Sequence, residues 1–390
     1  MTQEGRTLTE VETRNVESVE RHSGHLENVA LFLGAGGLAV GATVGLVVLK
    51  DFTAFQGSGW SSVSSISDIT SGVVAGVVFL LSWLWFVHPS WYQGAGVVRR
   101  AVHTVGLTLL VGSLTFLMMR AFNRVVDAAF IGLRFDVWSG TTFIALACGV
   151  SAYFAASIAA RLTLESLSVV VSAFLVMGAM MSAVNASDQF WWQIHFSSLG
   201  MASGLAGFTF NYTLILTGVV IATMADILAF DMRRWLTATG QGRWKSSVVS
   251  IGLMIMGLAL GGIGLIPVNV SHAGHLLTTY VAVGAFFALA LVAPVILRGI
   301  PWGFRVASLL IVVFVALLGY LFKGVRYLGT TGFEMLAVST VLVWMVLFIR
   351  TMAAVSRDAL TAKEGEPTPE KSTERTPDGD IGVSGQVYSI

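Results

Sequence analysis

Long apolar runs recur ten times along this chain, at 29–49, 70–86, 101–119, 138–160, 167–184, 199–223, 248–266, 276–297, 306–321 and 333–349, each flanked by polar or charged residues. A helix needs about 17–25 mostly apolar residues to cross the hydrocarbon core of a bilayer. Membrane β-barrels instead alternate apolar and polar positions in short segments. Runs such as LSVVVSAFLVMGAMM at 167–181 do not alternate. The pattern therefore predicts an all-α fold, a polytopic transmembrane helical bundle of about ten spans.

The flanks divide the chain into three parts. Residues 1–26 form a polar amino-terminal segment, 27–352 the transmembrane helical domain, and 353–390 a tail rich in Glu, Thr, Pro and Gly. The first 26 residues hold no apolar stretch of the kind a cleavable signal needs, so the first span is expected to direct insertion. The tail buries too little apolar surface to offset its ordering entropy and is expected to be disordered.

Composition agrees with a lipid-facing surface: 55% of residues are hydrophobic, 12% are charged, and the mean hydropathy is +0.78. A net charge of +1 argues against a nucleic-acid partner. The lone Cys148 excludes an intrachain disulfide and any multi-cysteine metal site. With the amino terminus inside, 17 of the 23 basic residues fall on cytoplasmic segments, which by the positive-inside rule predicts a multi-pass protein of the cell membrane with both termini cytoplasmic. Forty-two glycines include Gly37, Gly41 and Gly45 on one face of the first span, Gly200 and Gly204 at the start of the sixth, and Gly257 and Gly261 in the seventh. Small residues four apart let helix backbones approach closely in lipid. They predict a compact bundle, with a homo-oligomer contact as the other use of the same faces.

Two segments that open helices at the outer face are alike: Ile66-Ser67-Asp68-Ile69 before the second span and Phe196-Ser197-Ser198-Leu199-Gly200 before the sixth. A four-span internal repeat, with spans one to four matching five to eight, would explain this; so would the general preference for Ser and Asp at helix N-caps. The same segments, with Phe210-Asn211, 214–218, and Gly262-Ile-Gly264-Leu-Ile-Pro267 followed by His272 and His275, resemble the prokaryotic domain of unknown function 998 family over about 167–297. That resemblance implies a multi-pass membrane protein and no established activity.

The polar residues expected at the outer edge carry the candidate chemistry. Asp188, His195, Ser197 and Ser198 lie among Phe190, Trp191, Trp192 and Phe196, a sequence typical of an interfacial aromatic belt. His272 and His275, three apart, share a helix face. With His195 and Asp68 they would complete a zinc site whose bound water is a nucleophile at neutral pH. The competing account makes Ser198, Ser271 and Asp68 helix caps, each favourable by about 0.5–2 kcal/mol. Ser198, His195 and Asp188 are also candidates for a nucleophilic triad, although no nucleophile-elbow glycines surround either serine. The segment 120–136, with Arg120, Arg124 and Arg134 on an apolar background, suits an amphipathic helix at the headgroup layer, where its arginines would hold lipid phosphates. His103, Asp226 and Asp231 lie near the inner ends of their spans, and no ionisable side chain stands clearly at midplane, as a proton-coupled carrier requires.

The expectation is a noncatalytic protein that handles or transports a lipid or small amphiphile, with membrane lipid and such a ligand as partners. The alternative is a zinc-dependent intramembrane lipid hydrolase using His195, His272, His275 and Asp68.

Overall fold

The computed structural model describes residues 3–57, 61–86 and 90–364, with side chains described at 24–57, 61–85 and 91–357. Ten long helices follow in order: α1 (Gln3–Val48), α2 (Val63–Phe86), α3 (Val97–Ala129), α4 (Val137–Ala160), α5 (Leu164–Val184), α6 (Leu205–Ala238), α7 (Trp244–Leu265), α8 (His272–Ile296), α9 (Trp302–Gly319) and α10 (Thr330–Glu364). Each contains a segment long and apolar enough to cross a membrane. The protein is a multi-pass, all-α membrane protein.

The polar segment before the first span is continuous with it in α1 from Gln3, and α10 runs on to Glu364. The rest of the expected tail, 365–390, lies outside the described residues. The sixth span starts later than the apolar pattern implies. Residues Trp191–Gln193 and Phe196–Met201 form 3-10 turns, and Gly204, with φ of 71°, breaks the chain direction before α6 begins at Leu205. Left-handed backbone of this kind is open to glycine at little cost.

The segment 120–136 is not a separate interfacial helix. α3 continues through it to Ala129, because Arg120, Asn123 and Arg124 find partners on neighbouring helices. The chain then turns through Gly132 (φ 75°) into a two-residue strand, β2 (Arg134–Phe135), which pairs antiparallel with β1 (Thr53–Ala54) in the register Thr53 to Phe135 and Ala54 to Arg134. Phe55, fully buried, packs edge-on against Phe135 and Phe143 and anchors this hairpin-like cover on the bundle.

Glycines set the closest helix contacts. A methyl group at Gly37, Gly41 or Gly45 of α1 would come within 2.5–2.9 Å of α4 at Ala152, Ala145, Cys148 or Thr141. Between α6 and α7, one at Gly218 would lie 2.4 Å from the Gly257 carbonyl oxygen. These faces are therefore occupied by contacts within the chain. α2 packs on both α3 and α4, α3 meets α5 and α6, and α6 is the central helix, with 72% of its apolar window buried against 17% for α9. α10 lies across α5 and α6, and α9 bridges α8 and α10.

Helix neighbours recur only in part between spans one to four and five to eight: consecutive helices pack in both, as α2 on α3 and α6 on α7, but the contact of first with fourth does not recur. α1 lies along α4, whereas α5 has no comparable contact with α8; it packs on α6, and α8 packs on α7. Nor are the two similar motifs equivalent. Asp68 lies inside α2, while Ser197 and Ser198 lie in a 3-10 turn before α6. The two four-span halves therefore differ in how their first and last helices meet.

Candidate functional site

The outer-edge residues singled out from the sequence separate into different environments. Asp68 is buried between α2 and α3, its Oδ1 accepting from the Asn123 amide at 2.7 Å and its Oδ2 from Arg120 Nη1 at 3.3 Å. It caps no helix, being the sixth residue of α2. His272 is exposed at the start of α8, where Ser271 caps the helix through the Gly274 N–H. His275 is buried on the next turn, its Nδ1 3.0 Å from the Ile266 carbonyl oxygen. A carbonyl oxygen only accepts, so Nδ1 carries the proton.

His195 pairs with the Ser197 hydroxyl at 3.0 Å. Ser198 is no helix cap; its hydroxyl donates to the Trp191 carbonyl. Asp188 accepts the Phe190 N–H at 2.8 Å in a local turn. No side-chain hydrogen bond joins Asp188 to His195 or His195 to Ser198, a pair linked only by the Ser198 N–H to the His195 carbonyl, so the triad arrangement is not formed. Among the described residues no three His, Cys, Asp or Glu side chains converge as a metal site requires. His195, His272, His275 and Asp68 accordingly do not form the proposed zinc centre: Asp68 is committed to α3, and His275 to its own loop.

What the structure does assemble is a cavity of about 340 Å³ at the same end of the bundle. α5 contributes Leu175, Val176, Ala179 and Met180, α6 contributes Phe210 and Leu214, α7 contributes Leu260 and Ile263, and Val338 and Leu342 of α10 close over them. Along α5 it extends from Leu175 to Ala183, about 12 Å at 1.5 Å per residue. The wall is overwhelmingly apolar, and Val176, Met180 and Met335 are 49%, 57% and 47% exposed, so it opens toward the outside of the bundle.

Four of its polar residues lie together at one end, while Thr213 and Ser339 line it elsewhere. Glu334, on the second turn of α10, takes the Ser197 N–H on Oε2 at 3.0 Å, and Ser197, His275 and Thr279 line the cavity beside it. The 3-10 geometry explains the placement. Ser197 is the second residue of its 3-10 turn, where the leading N–H groups have no intrahelical acceptor, so its N–H is available to Glu334. His195 thereby joins the cavity indirectly, through Ser197.

No protein-family model, curated protein or solved structure matches this chain.

At the opposite end of the bundle, His103 of α3 is buried between Thr223, 3.0 Å from its Nδ1, and Asp226, whose Oδ2 is 3.3 Å from Nε2 and 3.4 Å from Arg99. This cluster ties α3 to α6 and lets α6 extend as a helix past its apolar stretch to Ala238. Glu334 was not among the candidates because a single acid near the start of an apolar run looks like a span boundary. The sequence carries one usable sign, its position inside Thr330-Thr-Gly-Phe-Glu334, after the helix has begun.

Proposed function

We propose that this is a cell-membrane protein, with both termini cytoplasmic, that binds and handles a small amphiphile or lipid without catalysing its conversion. The observation that carries the proposal is the apolar cavity with Glu334, Ser197 and His275 gathered at one end. Ligand pockets commonly hold about 300–1,000 Å³ and combine apolar walls with a few convergent polar groups. This cavity fits that description on both counts. An apolar tail would lie along α5 and α6, and a head with hydrogen-bond donors would meet the Glu334 carboxylate.

The segments that carry the resemblance to the domain of unknown function 998 family supply much of the wall, at Phe196, Phe210, Leu214, Ile263 and His275. We include kinship with that family in the proposal. Under the positive-inside assignment the polar end lies in the outer leaflet.

The test is native mass spectrometry with lipid analysis of the protein purified in mild detergent. An amphiphile should co-purify above its share of the membrane lipids, be lost on Ala179→Phe, which fills the cavity, and be weakened on Glu334→Gln. Only bulk lipid in bulk proportion, or retention unchanged in both variants, would overturn the proposal.

A further inference from the structure

A second cavity pair lies on the other side of α6, bounded by α2 and α3. The inner member, about 490 Å³, is a groove floored by Gly72 and Gly76 of α2 and Gly112 of α3. The outer member, about 280 Å³, is lined by Arg120, Asn185 and Ser65. Ile69, Phe116, Leu117 and Thr209 line both, so the two are continuous. The groove is open sideways: Val73, Val77, Leu109 and Phe208 in its wall are 60%, 49%, 45% and 67% exposed.

Depth fixes what such a groove meets. Arg100 and Arg120 bracket an uninterrupted span of α3, and twenty residues at 1.5 Å each cover about 30 Å. That is the thickness of the hydrocarbon core. Arg120 therefore stands at the headgroup level while the glycine-floored groove runs inward from it at acyl-chain depth.

Arg120 is the one charged residue in the outer cavity's wall among the described residues. Its Nη1 holds Asp68, and no hydrogen bond or ion pair within the described residues engages its Nε or Nη2. Asp68 is shut behind it, 1% exposed. One turn on, Arg124 donates to the Asn185 Oδ1 at 2.6 Å, so the rim is held rigid. A guanidinium with two free donor positions suits a phosphate oxygen pair.

We propose that this groove is a binding site for an anionic phospholipid, with the headgroup phosphate on Arg120 and an acyl chain against Gly72, Gly76 and Gly112. The site is separate from the cavity at Glu334 and does not depend on what that cavity binds.

The full chain, reconstituted in nanodiscs of equal phosphatidylglycerol and phosphatidylcholine and analysed by native mass spectrometry, tests it. Wild-type protein should retain phosphatidylglycerol over phosphatidylcholine by about fivefold, the effect expected of one basic residue at an anionic surface. Because Arg120→Gln alone strands Asp68, the informative variant is Asp68→Asn with Arg120→Gln, which should bring the ratio to parity; Asp68→Asn alone should preserve the preference. Gly76→Leu should lower retention of both lipids, since a Cβ there meets nothing closer than 3.7 Å and the side chain fills the groove without displacing a helix. Equal retention of the two lipids by wild type, a preference that survives the double variant, or retention unchanged by Gly76→Leu, would overturn the proposal. So would displacement of phosphatidylglycerol by excess inorganic phosphate, which would identify an ion site.

Discussion

Asp68 shows how much a single polar residue can hide in an apolar sequence. Its position six residues into α2 resembles the polar first turn of any span, and the sequence alone suggested a cap or a metal ligand. The structure gives it Arg120 and Asn123 instead, both from a segment that reads as an amphipathic helix lying in the headgroup layer. Whether polar residues beyond an apolar run face water or a neighbouring helix depends on how far that helix continues, which hydropathy does not encode. The consequence is measurable. Removing one partner of a buried ion pair leaves an uncompensated charge and costs about 3–5 kcal/mol, whereas replacing both partners costs far less. Arg120→Ala should therefore markedly lower the unfolding midpoint in mixed micelles, and Asp68→Asn with Arg120→Gln should recover most of the loss. If the double variant is as unstable as the single one, the pair is not the source of the stability. His195 was legible as unusual but not as to its partner: its bond to Ser197, and through that residue to Glu334 on the last span, joins residues 139 positions apart.

At the level of elements, the apolar runs located all ten helices, since lipid imposes the same length requirement on each. Their ends were less legible. α6 begins late because of the 3-10 turns and Gly204, and ends late because His103 and Arg99 partner Asp226 beyond its apolar stretch. The glycine faces were readable because spacing of four places them on one side of a helix, and the structure puts α4 against the Gly37, Gly41 and Gly45 face. Their contacts discriminate between glycines of one helix. A Cβ at Gly41 would sit 2.8 Å from both Ala145 Cα and the Ile144 oxygen, backbone atoms that cannot yield without moving α4; at Gly36 it meets nothing within 4 Å. Gly41→Leu should destabilise by at least the roughly 1–3 kcal/mol of an overpacked core, and Gly36→Leu should be close to neutral. Thermal unfolding of the two variants in the same detergent checks this, and equal melting temperatures would mean that α1 and α4 are not packed through this face.

For the whole molecule, the decisive property is which end faces out, because both cavities are placed by it. The ten helices put the 185–204 and 266–271 segments at one end and the 239–243 segment at the other. In the proposed orientation, with both termini cytoplasmic, the first end faces the exterior. The lone cysteine makes this testable, since Cys148 is fully buried against α1 and a Cys148→Ser background adds little volume change. On that background, Asp188→Cys, at an exposed turn, should react with a membrane-impermeant maleimide in intact cells. Arg243→Cys, exposed between α6 and α7, should react only after permeabilisation. The opposite pattern would invert the molecule. It would move the Glu334 cavity and the Arg120 groove to the inner leaflet, where the same side-chain chemistry would meet cytoplasmic lipids and metabolites. The expected pattern instead gives an outward polar rim on both cavities, with α6 as their shared wall: Thr213 lines the cavity at Glu334 on one side and the groove on the other.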